Sequence, residues 1–221
     1  LGHQARIVGE VRENRGRVEV ALAGNRHAAR QHRSATLAAW LAQQGVAVML
    51  GDVDRQQSTR AWLKRRSPAL PAIAPWALDQ KNVLKVPPGV THVVLDTPAG
   101  LHGRMFKDVL RVADKMLVPL QPSVFDIFAT RAFLDELADS AHAAKTQIGI
   151  VGMRVDERTR AADQLHTFVD SLGLPVLSFV RDTQNYIQLA ARGLTVFDVA
   201  RGRVERDLAQ WQPICQWLDA Q

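Results

Sequence analysis

A chain of 221 residues, 47% of them hydrophobic, is long and apolar enough to bury the core of one α/β domain. Its single cysteine, Cys215, excludes an internal disulfide framework. No apolar run reaches the roughly 20 residues of a transmembrane helix, and no signal-peptide pattern opens the sequence. We therefore expect a cytoplasmic protein without a membrane span. The formal net charge of +6 comes mostly from arginine, whose fixed charge and forked donors favour a polyanionic partner.

Apolar runs without polar alternation predict buried strands, and amphipathic stretches between them predict helices. The predicted strands cover residues 18–23, 46–50, 92–95, 115–120, 146–155 and 175–179. The predicted helices cover residues 36–44, 55–66, 103–113, 126–144, 161–172, 183–191 and 203–218, and a proline-rich loop covers residues 67–75. This alternation predicts parallel βαβ units, and hence a single α/β domain over residues 1–221 with a mostly parallel sheet and helices on both faces.

Spacing also assigns individual side chains to the core or to a helix end. In the helix predicted over 126–144, apolar residues at helical spacing are expected to face the core: Phe128, Phe133, Leu134 and Leu137. Cys215 and the tryptophans at apolar helical positions are expected to pack rather than to act chemically: Trp40, Trp62, Trp211 and Trp217. Asp182 is expected to cap the helix that begins at residue 183.

Acidic residues follow two of the predicted strands. Asp52 and Asp54 come directly after the strand at 46–50, and Asp96 follows the strand at 92–95. Open parallel sheets bind ligands outside the carboxyl ends of their strands, and Mg²⁺ prefers oxygen ligands while keeping several waters. The pattern therefore predicts a magnesium–phosphate site in which Asp52 and Asp96 act through water. For Asp96, the cap of a following turn or helix is the alternative.

Longer runs around these acids resemble a known family. They are VMLGDVDRQQS (48–58), THVVLDTPAGLHG (91–103), KMLVPLQPSVFD (115–126), IGIVGMRVD (148–156) and RDTQNYIQLAARGLTVFD (181–198). In this order, from about residue 37 to the C-terminus, they resemble the ParA/MinD superfamily of deviant P-loop ATPases, in its partition-protein and VirC-like branch. The resemblance implies a P-loop NTPase-like fold, Mg²⁺ and ATP as cofactors, a homodimer, and a ParB-like or other adaptor protein as partner.

The resemblance also implies residue roles. Asp54 matches the acid that positions the attacking water, and Asp96 matches the acid near Mg²⁺. The residues that fall where relatives border the adenine are Met153, Asp156, Arg181 and Asp182. A group of arginines falls where relatives often bind nonspecific DNA: Arg192, Arg201, Arg203 and Arg206. An ordinary solvated helix face, enriched in arginine by codon bias, is the alternative for this group.

One family feature is missing, namely the phosphate loop K-G-G-x-G-K-S/T between the first strand and the first helix. Spacing back from Gly45 places its first lysine at Asn25, its glycines at Arg26, His27 and Ala29, its second lysine at Arg30 and its hydroxyl at Gln31. Glycines let backbone N–H groups wrap the phosphates, the lysine reaches the β- and γ-phosphates, and the hydroxyl binds Mg²⁺. Residues 1–36 are therefore atypical, and we expect tight Mg²⁺–ATP binding or turnover to be lost.

Three explanations remain open for this departure. The protein is a pseudo-ATPase that keeps the fold and its partner surfaces, or residues 1–36 are not the natural sequence because of a frameshift in an otherwise ordinary ATPase gene. In the third explanation, Arg26, Arg30 and Arg33 form a substitute anion site at a helix N-terminus. Two functional hypotheses result. The protein is a nucleotide-dependent partition or DNA-transfer switch with impaired ATP binding, or it is a pseudo-ATPase scaffold that binds DNA or a partner protein.

Overall fold

The fold is built on a parallel β-sheet, seen in a computed structural model that describes residues 17–22, 31–52, 58–76, 89–97, 103–141 and 143–220. In this part of the chain the sheet has 7 strands in the order β3-β2-β4-β1-β5-β6-β7, and every neighbouring pair is parallel. The strands are β1 Arg17–Leu22, β2 Val48–Asp52, β3 Ala74–Trp76, β4 His92–Thr97, β5 Lys115–Leu120, β6 Gln147–Val155 and β7 Val176–Arg181. The predicted α/β class with a mostly parallel sheet is confirmed.

Helices lie in the described connections between consecutive strands, as is usual for parallel pairing. They are α1 Gln31–Gln43, α2 Ser58–Leu63, α3 Gly103–Val112, α4 Val124–Ala138, α5 Arg160–Asp170, α6 Gln184–Ala190 and α7 Glu205–Asp219. Short 3₁₀ turns lie at Ala143–Lys145, Val196–Asp198 and Arg201–Arg203. Of the helices in these described segments, none is both long enough and apolar enough to cross a lipid bilayer.

Both faces of the sheet are covered, which explains why its strands are apolar throughout. Because side chains alternate along a strand, Val94 of β4 packs into one core with α1, α2 and α7. Its neighbours Val93 and Leu95 pack into the second core with α3, α4 and α5. The predicted arrangement of helices on both faces is therefore confirmed, and the carboxyl ends of all strands share one edge of the sheet.

The prediction of a loop over residues 67–75 is wrong at its end, because residues 74–76 form β3. This strand lies at the margin of the sheet and pairs with β2 through Ala74, Pro75 and Trp76. An edge strand tolerates proline, since one side of its backbone has no ladder to complete. Trp76 is buried, so this strand is held by packing as well as by pairing.

Helix α1 begins at Gln31, earlier than the predicted start at residue 36. The added turn contains no glycine or proline, and Arg33 and Ser34 within it are both buried. Packing against the rest of the fold therefore extends the helix into a polar stretch whose sequence pattern gives little indication of it.

In α4, the prediction for Phe128 is wrong, because its side chain is 68% exposed. Leu134 and Leu137 are buried as predicted, and Phe133 is partly buried with its ring edge-to-face on Phe106. The buried face also contains Thr130, which lies two positions after Phe128. Two positions along a helix correspond to roughly 200°, so Phe128 points away from the core.

The tryptophan and cysteine predictions are confirmed for Trp40, Trp62, Trp211 and Cys215, which are all buried. Trp217 is partly buried, and its ring lies 5.2 Å from the ammonium group of Lys115. That ammonium group also fixes the end of α7. Its Nζ donates to the carbonyl oxygens of Trp217, Leu218 and Ala220 at 2.6, 2.7 and 2.5 Å. Because helix C-terminal carbonyls lack partners within the helix, a buried cation there satisfies and attracts them.

We expect Lys115→Met to lower the free energy of unfolding by about 1–3 kcal/mol, because carbonyl groups at the end of α7 lose their donor. Urea unfolding at neutral pH measures this change. Lys107→Met is the matched control, since Lys107 is an exposed lysine of α3 and its loss should change little. Equal stability of the two variants would contradict a stabilising role for Lys115.

Candidate functional site

The two acids predicted to lie together are direct neighbours at the carboxyl edge of the sheet. In the parallel pairing of β2 with β4, Asp52 lies opposite Asp96, and Asp96 also lies opposite Ala21 of β1. Neighbouring strands are about 4.8 Å apart, so the two carboxylates share one small region. Asp96 is buried and Asp52 is half-buried. The predicted juxtaposition is confirmed, whereas Asp54 lies outside the described residues.

Thr59 holds the Asp52 carboxylate at the beginning of α2. Its backbone N–H and its hydroxyl both donate to Oδ2 of Asp52, at 3.0 and 2.9 Å. Thr59 is itself buried, so these hydrogen bonds are shielded from solvent. Asp52 therefore fixes the start of α2 to the end of β2. The sequence did not indicate this role of Thr59, because the helix was predicted over 55–66 and Thr59 lies inside that range.

The oxygen atoms at this edge fit a magnesium ion that keeps part of its water shell. Asp52 and Asp96 offer carboxylate oxygens on the same face of the sheet, the ligand type that Mg²⁺ prefers. No group of three or more His, Cys, Asp or Glu residues forms a metal site within the described ranges. The donor set thus suits an ion held by few protein oxygens, with water and phosphate as its other ligands.

The residues assigned to the degenerate phosphate loop are mostly outside the described ranges, namely Asn25, Arg26 and Arg30. Gln31 is described, and it is the first residue of α1. This is where the family pattern places the hydroxyl that follows the lysine. Arg33, which the third explanation adds to an anion site, is buried within α1.

The residues predicted to border the adenine come together at the ends of β6 and β7. Met153 lies opposite Val180, and Val155 lies opposite Arg181, with an irregularity in the pairing between the two. Asp156 and Asp182 follow directly after these strands. The strands β1 and β5 separate β6 from β4, so this group and Asp96 occupy the same edge at different strands.

Arg154 was not among the predicted site residues, yet its side chain links the ends of β6 and β7. Its φ of 56° is left-handed, a conformation that non-glycine residues rarely adopt. Its guanidinium donates to Oδ2 of Asp182 from Nε at 3.2 Å and from Nη2 at 3.0 Å. The predicted capping role of Asp182 is therefore wrong, because the cap is Thr183, whose hydroxyl accepts from the N–H of Asn185. No local sequence pattern indicates the Arg154 conformation.

Asp156 also carries an arginine partner. Arg158 donates to its carboxylate from Nε at 2.9 Å and from Nη2 at 2.8 Å. These hydrogen bonds, together with one from the Arg158 N–H, lower the pKa of Asp156 to about 2. Asp156 is therefore charged at neutral pH, and it is solvated rather than enclosed.

Arg181 joins the end of β7 to α7 through a buried carboxylate. Its Nε and Nη2 donate to the two oxygens of Asp207 at 2.7 and 3.2 Å, and Asn185 donates to Oδ2 at 3.1 Å. Asp207 has no exposed surface, so it needs a cation beside it. Arg181 therefore has a structural partner, and a nucleotide contact from this side chain would compete with the ion pair.

A second buried ion pair joins the turn after α2 to the 3₁₀ turn Val196–Asp198. Arg66 donates from Nη1 and Nη2 to the two oxygens of Asp198, both at 2.9 Å, and their side chains are only 5% and 0% exposed. Thr195 adds its N–H at 2.8 Å and its hydroxyl at 2.7 Å. Burial alone would raise the pKa of Asp198, but these donors outweigh it and lower the pKa.

The arginines predicted to contact DNA are exposed and lie beside this ion pair in the chain. They are Arg192 after α6, Arg201 and Arg203 in the 3₁₀ turn Arg201–Arg203, and Arg206 at the start of α7. Their exposure fits the DNA-binding prediction and equally fits the solvated face that was its alternative.

We expect Asp198→Asn to lower the free energy of unfolding at neutral pH by about 3 kcal/mol, because Arg66 is left buried without its partner charge. A carboxylate with a lowered folded-state pKa stabilises fully above its unfolded pKa of about 4, and this contribution is lost as the pH falls through the folded-state pKa. The difference from wild type, measured by urea unfolding across pH, should therefore shrink in acid. The exposed Asp170→Asn is the control, and a difference that persists unchanged in acid would contradict the assigned ion pair.

Comparison with known proteins gives a family match over most of the chain. Residues 33–196 match the model of the CobQ/CobB/MinD/ParA nucleotide binding domain. The chain is 28% identical, over 183 residues, to the maintenance of carboxysome distribution protein A of Halothiobacillus neapolitanus. The aligned region covers 79% of this chain and 84% of that protein.

Solved structures share the fold at low identity. The MinD cell division protein of Aquifex aeolicus has a TM-score of 0.71 at 16% identity, covering 93% of this chain and 98% of its own. The septum site-determining protein MinD of Pyrococcus horikoshii, solved in complex with Mg-ADP, has a TM-score of 0.65 at 15% identity, covering 92% of this chain and 96% of its own. The family match includes the strands that carry Asp52 and Asp96.

Proposed function

Because the chain belongs to the CobQ/CobB/MinD/ParA nucleotide-binding domain family, as its motifs predicted, we propose that it is a ParA-like, nucleotide-dependent switch for partition or DNA transfer. The observation that carries the proposal is the pairing of Asp52 with Asp96 at the carboxyl edge of the sheet. The relative that maintains carboxysome distribution supports the broader class of cargo-positioning proteins. The P-loop NTPase-like fold itself is established by the family and by the solved structures.

In the proposed switch, Asp96 and Asp52 hold Mg²⁺ through water, and Asp54 positions the attacking water. A bound Mg²⁺ would neutralise charge on the nucleotide phosphates. Met153, Asp156, Arg181 and Asp182 would border the adenine. The Arg154–Asp182 pair would then keep this border in place, while the guanidinium of Arg181 would be shared between the nucleotide and Asp207.

The substituted phosphate loop argues for weak nucleotide binding within this proposal. Asn25, Arg26, Arg30 and Gln31 supply charge and polar groups, but they lack the glycines that open backbone N–H groups toward phosphate. A pseudo-ATPase that serves as a DNA- or partner-binding scaffold is the second candidate, and the same substitutions favour it. Nucleotide affinity separates the two.

We expect labelled ATP to bind the purified protein weakly and only with Mg²⁺, and Asp96→Asn to weaken this binding about tenfold, or about 1.4 kcal/mol. Asp170→Asn, an exposed acid on α5, is the control and should bind as wild type does. Absence of binding at millimolar ATP would overturn the switch and leave the scaffold. Tight binding at micromolar ATP would overturn both the impaired loop and the scaffold.

We propose a homodimer that forms through the beginning of α4. Val124, Phe125 and Phe128 are 51%, 81% and 68% exposed, and α4 begins just after β5 ends at the acidic edge of the sheet. Exposed apolar side chains grouped in this way mark interaction sites. A second copy facing this edge would cover them, which agrees with the homodimer implied by the family resemblance.

The double variant Phe125→Asp/Phe128→Asp should lower the dimer fraction strongly, because charged side chains cannot be buried in that contact. Analytical ultracentrifugation, with and without Mg²⁺–ATP, measures the fraction. Ile187→Asp is the matched control, since Ile187 is also an exposed apolar residue, 53% exposed, but lies on α6. A monomeric wild type, or a dimer insensitive to the double variant, would contradict this interface.

For the partners, we propose nonspecific DNA and a ParB-like or other adaptor protein. The DNA contacts would come from Arg192, Arg201, Arg203 and Arg206, all exposed. Phosphate contacts of this kind release counterions and carry no sequence information. The net charge of +6 supports a polyanionic partner without identifying it.

A further inference from the structure

A second basic segment, outside the arginines assigned so far, packs against the loop that carries Arg192. Gly193, with a φ of 70°, lies so close to the turn after α2 that a Cβ atom there would be 2.5 Å from the carbonyl carbon of Arg65 and from the backbone nitrogen of Arg66. Only a residue without a side chain permits this approach. The backbone of Gly193 therefore packs directly against the backbone of residues 65–66.

A separate contact fixes the same two segments. The buried Arg66–Asp198 ion pair joins the turn after α2 to the 3₁₀ turn that follows Gly193. Gln43 at the end of α1 also donates to the carbonyl oxygen of Phe197 and to Oδ1 of Asp198, both at 3.4 Å. Since these contacts are independent of the glycine packing, the relative position of the two segments is determined by the fold.

The side chains that this contact brings together are cationic and exposed. Lys64 and Arg65 follow α2, Arg192 precedes Gly193, and all are exposed to solvent. Arg65 donates from Nη1 to the carbonyl oxygen of Ala61 at 3.2 Å, which leaves its charge uncancelled. Among the ion pairs formed within the described ranges, none involves these cations.

Neither of these two described segments supplies an exposed acid that would oppose this charge. Residues 58–76 contain no aspartate or glutamate, and residues 184–204 contain Asp198 alone, whose side chain has no exposed surface and is paired with Arg66. The surface formed by the two segments is therefore positive, with its one acid turned inward. Such an unopposed set of Lys and Arg side chains suits a phosphate backbone.

We propose that Lys64 and Arg65 contact the phosphates of duplex DNA together with Arg192, as one surface assembled from two distant parts of the chain. This inference rests on the DNA-binding part of the proposed function and adds residues 64–65, which follow α2. Arg66 is the positioning residue of this surface, since it faces inward and holds the two segments together.

The test is a titration of the full chain against a random-sequence DNA duplex at several salt concentrations, with and without Mg²⁺–ATP. The slope of log K against log salt is negative, and each lost phosphate contact should reduce its magnitude by about 0.9. Lys64→Ala/Arg65→Ala should therefore reduce the magnitude of the slope by about 1.8. The charge-conserving variant Lys64→Arg/Arg65→Lys should keep most of the wild-type slope. Circular dichroism checks that each variant is folded.

The matched control is Arg104→Ala/Lys107→Ala, which removes the same net charge from exposed positions of α3 on the other face of the sheet. We expect this control to keep the wild-type slope. If the Lys64/Arg65 variant keeps it too, the inference is overturned while DNA binding stands. If the wild type does not bind DNA even at low salt, the DNA-binding part of the proposed function fails, and the inference fails with it.

Discussion

The parallel pairing of β2 with β4 is the constraint on which the candidate site depends. It places Asp52 opposite Asp96 at the ends of two buried strands, where desolvating one carboxylate near another is unfavourable without compensation. Thr59 supplies part of that compensation by donating twice to Asp52, and a hydrated divalent cation would supply more. Because of this cost, the acidic pair needs donors or cations held beside it.

Features that depend on local pattern could be predicted from the sequence, and features that depend on distant contacts could not. Runs such as VVL in β4 are apolar because both of their faces are covered, so the strand and the acid after it were both predictable. The edge strand β3 was missed because it is short and contains Pro75. The partners of Asp182 and Asp198 were missed because Arg154 and Arg66 lie 28 and 132 residues away in the chain. The phosphate-loop residues Asn25, Arg26 and Arg30, and Asp54 as well, remain predictions.

Arginine has two separate uses in this fold. Arg66 and Arg181 neutralise aspartates that have no exposed side-chain surface, and both connect segments that are remote in sequence. Lys64, Arg65 and Arg192 stay at the surface, where their charge is available to a polyanion. Composition alone cannot separate these groups, because the same residue type serves as an internal connector and as an external contact. This division also shows why an arginine-rich composition was ambiguous evidence for DNA binding.

Helix α2 is only 6 residues long, yet both of its ends are attached to sites with different proposed partners. Thr59 ties its first turn to the aspartate of β2, and Arg66, just beyond its last turn, is anchored to Asp198. The helix is about 9 Å long, so its two attachments lie close together along one short element. If binding at the acidic edge shifted α2, its coupling to polyanion binding at residues 64–65 would be reciprocal, with equal free energies in both directions.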